Sequence, residues 1–298
     1  MGSSSSPSST PASGPGPTPS ASQPGGQGSF GPVVVVVEEN HSYEQVIGNS
    51  LMPYFNSLAQ QGASATQYYA SVHPSLPNYF MLTTGAIQTM DNNWTGQVTG
   101  DNLARSFAAA GRTWKSYVED LPSAGYLGSS QGEYIKHHNP FAYFSDVVNN
   151  PSQAANIVPF SQFSNAVASG TLPNFSLLIP NSPDDAHGCL TSSCTDNDLL
   201  ARSDQWLKTN IGPLLSSAQF QKSGLLLIVF DESNIADIRS GGGRTPWIAL
   251  GPKAKAGAQS SVTYGHQNTL RTICDQLGVA PCPGAAVSAA GIDDLVQR

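Results

Sequence analysis

Charge is scarce in this chain. Asp, Glu, Lys and Arg make up 11% of its 298 residues, against about 25% in an ordinary soluble domain, which leaves few surfaces for ion-pair networks. The basic side chains form no cluster, and the net charge is −7. That excludes a nucleic-acid binder, which neutralises phosphates with a stripe of Lys and Arg, and points instead to a small partner. Long apolar runs are missing as well. The longest, Val33 to Val37 and Leu225 to Phe230, fall far short of the roughly 20 residues of a membrane-spanning helix. Met1-Gly2-Ser3 leads into low complexity with neither the basic n-region nor the apolar h-region of a secretory leader. No internal repeat is visible.

What is present begins with a sharp shift in composition. Met1 to Ser29 carries no charge and is mostly Ser, Pro and Gly. Such a segment cannot bury a core, so residues 1–30 are expected to be a disordered stalk ahead of one catalytic domain over 31–298. The four cysteines fall as close pairs, Cys189 with Cys194 and Cys274 with Cys282. A four-cysteine zinc site more often uses two C-x₂-C knuckles, so two local disulfides are expected, and with them an oxidising compartment. Together with the stalk they suggest a secreted or cell-envelope-associated protein, expected to be a monomer.

Five successive valines, Val33 to Val37, read as a strand buried on both faces, because no side of it is left for water. Glu38-Glu39-Asn40-His41-Ser42 follow at once. The same punctuation recurs where Phe175 to Ile179 runs into Asn181-Ser-Pro-Asp-Asp-Ala-His187, and where Leu225 to Phe230 runs into Asp231-Glu232-Ser233. Helical spacing appears over Leu51 to Gln61, Asn102 to Ala110, Leu199 to Asn210 and Gln267 to Leu277, with further strands expected at Thr113 to Tyr117 and Thr245 to Leu250. This alternation implies an α/β fold built on a mostly parallel sheet. In such sheets ligands bind beyond the carboxyl ends of the strands, so the three polar segments are expected to converge.

The densest chemical signal is His73-Pro-Ser75-Leu-Pro-Asn78-Tyr. A serine between two prolines, ahead of a helix expected to start near Asn78, faces helix N–H groups that favour anions. Ser75 is therefore the candidate nucleophile, although a capping serine in an X-Pro turn has the same local pattern. Glu39, Asn40, Asp231 and Glu232 each place an oxygen directly after a buried strand. Their carboxylates would repel one another at a shared edge, and a divalent cation would resolve the repulsion. Oxygen donors suit Ca²⁺, Mg²⁺ or Mn²⁺. His187 and His266 are placed to reach a phosphate at the same edge, and a histidine beside carboxylates can donate a proton to a leaving alkoxide. Gly128-Ser-Ser130-Gln-Gly132 matches the G-x-S-x-G elbow of hydrolases, but no apolar strand leads into it and no helix follows.

Taken in order, Val-Val-Val-Glu39-Asn40-His-Ser, Pro74-Ser75-Leu-Pro-Asn78-Tyr, Trp114-Lys-Ser-Tyr-Val-Glu119, His138-Asn-Pro-Phe, Asp185-Ala-His187, Phe230-Asp-Glu232 and Tyr264-Gly-His266 resemble the phosphoesterase family of the alkaline-phosphatase-like superfamily. That family includes secreted bacterial acid phosphatases, phospholipases C and small actinobacterial phosphatidylinositol-3-phosphatases. The resemblance spans essentially Pro32 to the C-terminus. It implies a three-layer sandwich and a metal held by Glu39, Asn40, Ser75, Asp231 and Glu232, with Ser75 attacking phosphorus. It further implies catalytic help from His187 and phosphate contacts from His138 and His266. Ser-Leu-Pro-Asn is also similar to the Thr-Phe-Pro-Asn of nucleotide pyrophosphatases, which implies that Asn78 donates to a phosphate oxygen. Position 232 is Glu where some relatives have Asp. Sulfatases of the superfamily need Arg where Tyr79 stands, which counts against sulfate esters.

The expected function is a secreted phosphomonoesterase of the acid-phosphatase type that passes through a phosphoserine and acts on a small phosphate ester or a phospholipid headgroup. A diesterase of the phospholipase C type would share the site. A non-catalytic surface-binding protein of the same fold is a third reading, disfavoured by the intact Ser75, Asn78 and acidic pairs.

Overall fold

The computed structural model describes residues 1–3 and 30–298, so the expected stalk falls almost wholly outside the described residues. The strands among the described residues are β1 (Val33–Glu38), β2 (Ala63–Ala65), β3 (Tyr68–Tyr69), β4 (Trp114–Val118), β5 (Ile157–Pro159), β6 (Phe175–Ile179), β7 (Leu225–Phe230), β8 (Trp247–Leu250), β9 (Gln259–Ser260) and β10 (Tyr264–Gly265). Eight of them form one sheet in the order β5-β4-β6-β1-β7-β8-β2-β9, while β10 pairs with β3. From β5 to β7 the strands are parallel; β8 runs antiparallel to both β7 and β2.

The valine run occupies the middle of this sheet, between β6 and β7, where both faces are covered. Val33, Val35 and Val37 pack in one core with Leu76 and Phe80 of the helix Ser75–Thr84, Phe107 of Leu103–Ala109 and Ile273 of His266–Leu277. Val34 and Val36 pack in the other with Phe55 of Pro53–Gln61, Phe163 of Ser161–Ser169 and Leu207 of Asp196–Ser216. The result is the expected three-layer α/β/α sandwich.

Element boundaries differ from expectation where tertiary contacts override local preference. The helix expected over Leu199 to Asn210 runs over Asp196–Ser216. Thr195 caps its start by accepting from the Asp198 N–H, and burial of Ile211 and Leu214 carries it through Gly212 and Pro213. Asp204 of this helix accepts from the Tyr54 and Phe55 N–H groups (3.1 and 2.7 Å), pinning the start of Pro53–Gln61. Both expected disulfides, Cys189–Cys194 and Cys274–Cys282, are formed. The Gly128–Gly132 match lies in a loop, where Ser130 accepts from the Lys136 N–H.

Candidate active site

The carboxyl ends of β1, β6 and β7 lie side by side, and the segments leaving them meet the first turn of the helix Ser75–Thr84. Glu39 is the hub of this meeting point. Its buried carboxylate accepts from the Ser75 hydroxyl (Oγ to Oε2, 3.1 Å) and from the Tyr79 hydroxyl (Oη to Oε1, 2.8 Å). His138 Nε2 lies 3.1 Å from Oε1 and His187 Nδ1 3.2 Å from Oε2. Burial alone would raise the Glu39 pKa; the neighbouring His138 and His187 rings and the Tyr79 hydroxyl outweigh it and hold the carboxyl below the usual carboxylate range.

The helix begins at Ser75 itself, not near Asn78, with Pro74 as its cap. Ser75 is buried, and Tyr79, one turn on, stands on the same helical face. Pro77 has no N–H, and that of Leu76 is taken by Asn92 Oδ1 at 2.9 Å. This helix end therefore offers an anion fewer amides than an ordinary one.

From β7 come Asp231 and Glu232. Asp231 is buried; its Oδ1 accepts weakly from the Asn40 N–H (3.4 Å), and among the described residues its Oδ2 has no partner. Glu232 Oε2 lies 3.0 Å from His73 Nδ1. Burial first, then the charge of Glu39, pushes the Asp231 pKa well up and that of Glu232 to about 9, while the adjacent Ser75 hydroxyl eases both. Protein groups alone thus leave the cluster short of positive charge. A divalent cation fits it: carboxylates, an amide, a hydroxyl and an orphaned buried oxygen converge, and Glu39, His138 and His187 bring ligand atoms within 4.8 Å of one another.

The loop after β6 supplies the remaining contacts. His138 is fully enclosed between Glu39 and Asp185, with its Nδ1 2.9 Å from Asp185 Oδ2. Burial pushes the His138 pKa well down and the Asp185 pKa well up, and Nε2, which faces Glu39 Oε1, makes no hydrogen bond among the described residues. His138 was expected at the phosphate; it stands instead with the candidate metal donors. His187 Nδ1 also lies 2.9 Å from Asn40 Nδ2. Its side chain, 26% exposed, reaches the surface while Glu39 and His138 do not. The backbone turns sharply on both sides of this contact: Asn40 and Ala186 hold positive φ values of 57° and 72°, a conformation Asn tolerates and Ala adopts only under constraint.

Two expected phosphate contacts are placed differently. Both ring nitrogens of His266 are engaged: Nε2 donates to the Asp231 carbonyl at 2.6 Å, and Nδ1 accepts from the Tyr68 hydroxyl at 2.9 Å. With no N–H left over, His266 braces the segment carrying Asp231. Asn78 holds the loop ahead of Ser75, accepting from the Ser71 N–H at 3.1 Å and donating to the Val72 carbonyl at 2.7 Å, and its Nδ2 also reaches Glu232 Oε2 of the cluster at 3.4 Å. It fixes the loop that leads into Ser75. Tyr79 and Asp185 escaped notice as site residues, although the four-residue spacing of Tyr79 from Ser75 was a usable signal.

A family model described as the Phosphoesterase family matches residues 49–280. The chain belongs to the phosphoesterase family. It is a hydrolase acting on phosphoric ester bonds. It is 34% identical over 270 residues, 90% of this chain and 83% of the other, to a protein of Mycobacterium tuberculosis named phosphatidylinositol-3-phosphatase. A probable acid phosphatase of Kluyveromyces lactis and an acid phosphatase of Aspergillus fumigatus are 29% and 28% identical over 80% and 87% of this chain. The phosphoesterase spans little more than half of these fungal proteins, 56% and 57%. Among solved structures, an alkaline phosphatase superfamily protein from Vibrio parahaemolyticus superposes with a TM-score of 0.62 at 15% identity, over 90% of this chain and 72% of that one. A sulfatase from Pseudoalteromonas gives 0.59 at 13%, over 87% and 71%. These likenesses concern the fold alone.

Proposed function

We propose that this phosphoesterase is a metal-dependent phosphomonoesterase of the acid-phosphatase type, exported from the cytosol, that works through a phosphoserine at Ser75. The observation carrying the reading is the buried Ser75 hydroxyl at the start of its helix, 3.1 Å from Glu39 and beside two further carboxylates whose pKa values are raised. Glu39, Asn40, Ser75, Asp231 and Glu232 would hold one divalent ion, and the adjacent imidazoles favour Mn²⁺ over Ca²⁺ or Mg²⁺. When bound, the ion supplies positive charge against the Ser75 oxygen and the transferring phosphoryl group.

Glu39 orients Ser75 Oγ and accepts its proton as that oxygen bonds to phosphorus and the ester oxygen departs. His187 turns Nδ1 toward Glu39 and Asn40 and, with its exposed edge at the mouth, gives a proton to the departing oxygen. Water then cleaves the seryl phosphate, giving a proton to His187 while Glu39 returns one to the departing Ser75 oxygen, and phosphate is released. Small polyol phosphates are the fitting substrates, phosphoinositide headgroups among them by analogy with the mycobacterial relative. The two disulfides support an oxidising compartment.

Hydrolysis of p-nitrophenyl phosphate between about pH 5 and 7, with and without a chelator, tests the reading. Exhaustive chelation is expected to lower turnover on the order of 10²-fold or more, with recovery on adding Mn²⁺. Full turnover by protein shown to be metal-free would reject the metal. The proton donor has its own signature. Burial lowers the His187 pKa, but the hydrogen bond and charge of Glu39 raise it overall, so the imidazolium persists to higher pH than in free histidine. The acid is then lost as pH rises through that raised pKa, and wild-type kcat falls on the alkaline side. His187→Gln should lower kcat by about 10²-fold and abolish this alkaline limb; an unchanged limb would assign the proton to another group.

A further inference from the structure

A small cavity of about 140 Å³ opens beside the catalytic cluster, lined among others by Asn93, Trp94, Ser130, Lys136, His137 and Tyr143. Several contacts tie it to the site. Asn92, also on its wall, accepts from the N–H of Leu76, the residue after the nucleophile. The His137 ring lies 6.4 Å from the His187 ring and 4.8 Å from the His138 ring. Trp94 and Tyr143, whose rings stack 5.9 Å apart, pack edge-on against Phe80 of the nucleophile's own helix. Larger cavities, of about 600 and 500 Å³, lie away from these side chains, around Thr113–Lys115 and around Thr209–Gln219.

The small cavity has what the catalytic cluster lacks. Lys136 Nζ sits 4.9 Å from the centre of the Tyr143 ring, and among the described residues Lys136 makes no salt bridge. By contrast, Arg105 pairs with Asp146, Arg202 with Asp184, and Arg239 and Arg244 with Glu44. Beside the cluster of Glu39, Asp185, Asp231 and Glu232, a second phosphate on a substrate would be repelled at most positions. At Lys136 it would gain a charge-assisted hydrogen bond. The stacked aromatic wall suits the C–H face of a ring, and the Asn93 and Ser130 side chains suit its hydroxyls.

We propose that the Lys136 cavity is the leaving-group subsite and selects cyclic polyol phosphates that carry a second anionic phosphate, free or esterified. The inference rests on the phosphomonoesterase reading above.

The test compares kcat/KM for inositol 3-phosphate, inositol 1,3-bisphosphate and a short-chain phosphatidylinositol 3-phosphate kept below its micelle concentration, with p-nitrophenyl phosphate as the reference. Wild type is expected to prefer a substrate with a second phosphate. Lys136→Gln should reduce that preference about tenfold, equivalent to about 1.4 kcal/mol, through KM with kcat retained, and Lys136→Arg should restore most of it. A response confined to the lipid identifies an esterified second phosphate, and one confined to the bisphosphate identifies a free one; both support the subsite. Full turnover of p-nitrophenyl phosphate with no preference in wild type, or a preference untouched in Lys136→Gln, overturns the subsite alone. No turnover of any ester by metal-loaded wild type overturns the phosphomonoesterase reading and the subsite with it.

Discussion

Ser75→Ala is expected to lower kcat for phosphate monoesters by on the order of 10³ or more while leaving the fold in place. The size follows from the role: without the hydroxyl no covalent step is available, and water must attack phosphorus in a site shaped around a serine oxygen. The stability cost is small by comparison. Glu39 keeps Tyr79, His138 and His187 as partners when Ser75 is truncated, and alanine is the better helix former. A change within about 1 kcal/mol is expected, measured by thermal melting alongside steady-state kinetics. Near-normal turnover would remove Ser75 from the chemistry, whereas loss of turnover together with collapse of the melting transition would reassign it to structure.

Asp231→Asn is expected to separate stability from activity in the opposite sense. Burial, with the charges of Glu39 and Glu232, raises the Asp231 pKa well above its open-chain value of 3.8. A group whose folded pKa exceeds its unfolded one binds its proton more tightly when folded. Its stabilising contribution is complete below that open-chain value and is lost as pH climbs toward the folded pKa. Asparagine has no such dependence. The metal-free variant should therefore be more stable than metal-free wild type near pH 7, by about 1–3 kcal/mol, with the gap closing as pH falls toward about 4. The same substitution should cost on the order of 10² or more in kcat and shrink the rise in melting temperature on adding Mn²⁺. Metal-free melting temperatures that track one another at every pH would contradict the account of the cluster.

The sheet and the edge that carries the candidate site were legible in the sequence because β1 and β7 are unbroken apolar runs, and β6 is apolar but for Ser176, before they give way to Glu38-Glu39, Asp231 and Asn181. Such strands must be covered on both faces and must release their polar residues at one edge. The short strands β2, β5 and β9 have two or three residues each and carry no periodicity to detect. The residue types at the site were also legible, but several of their partners were not. His138 meets Glu39 because the loop after β6 brings Asp185 behind it. The orientation of His266 is set by Tyr68, 198 positions away. A histidine's two nitrogens look alike in a sequence, and only the packing decides which of them is free. The start of the helix at Ser75 was obscured by Pro77, which fits the first turn as well as it fits a preceding bend.

The central claim is that phosphorus passes through the oxygen of Ser75, and acid quenching during turnover, followed by mass spectrometry of the peptide containing residue 75, tests it most directly. The account predicts a phosphoseryl group at Ser75 that forms and decays within turnover and is absent from Ser75→Ala. Sustained turnover with Ser75 unmodified at every quench time, or with the label on another side chain, would contradict it.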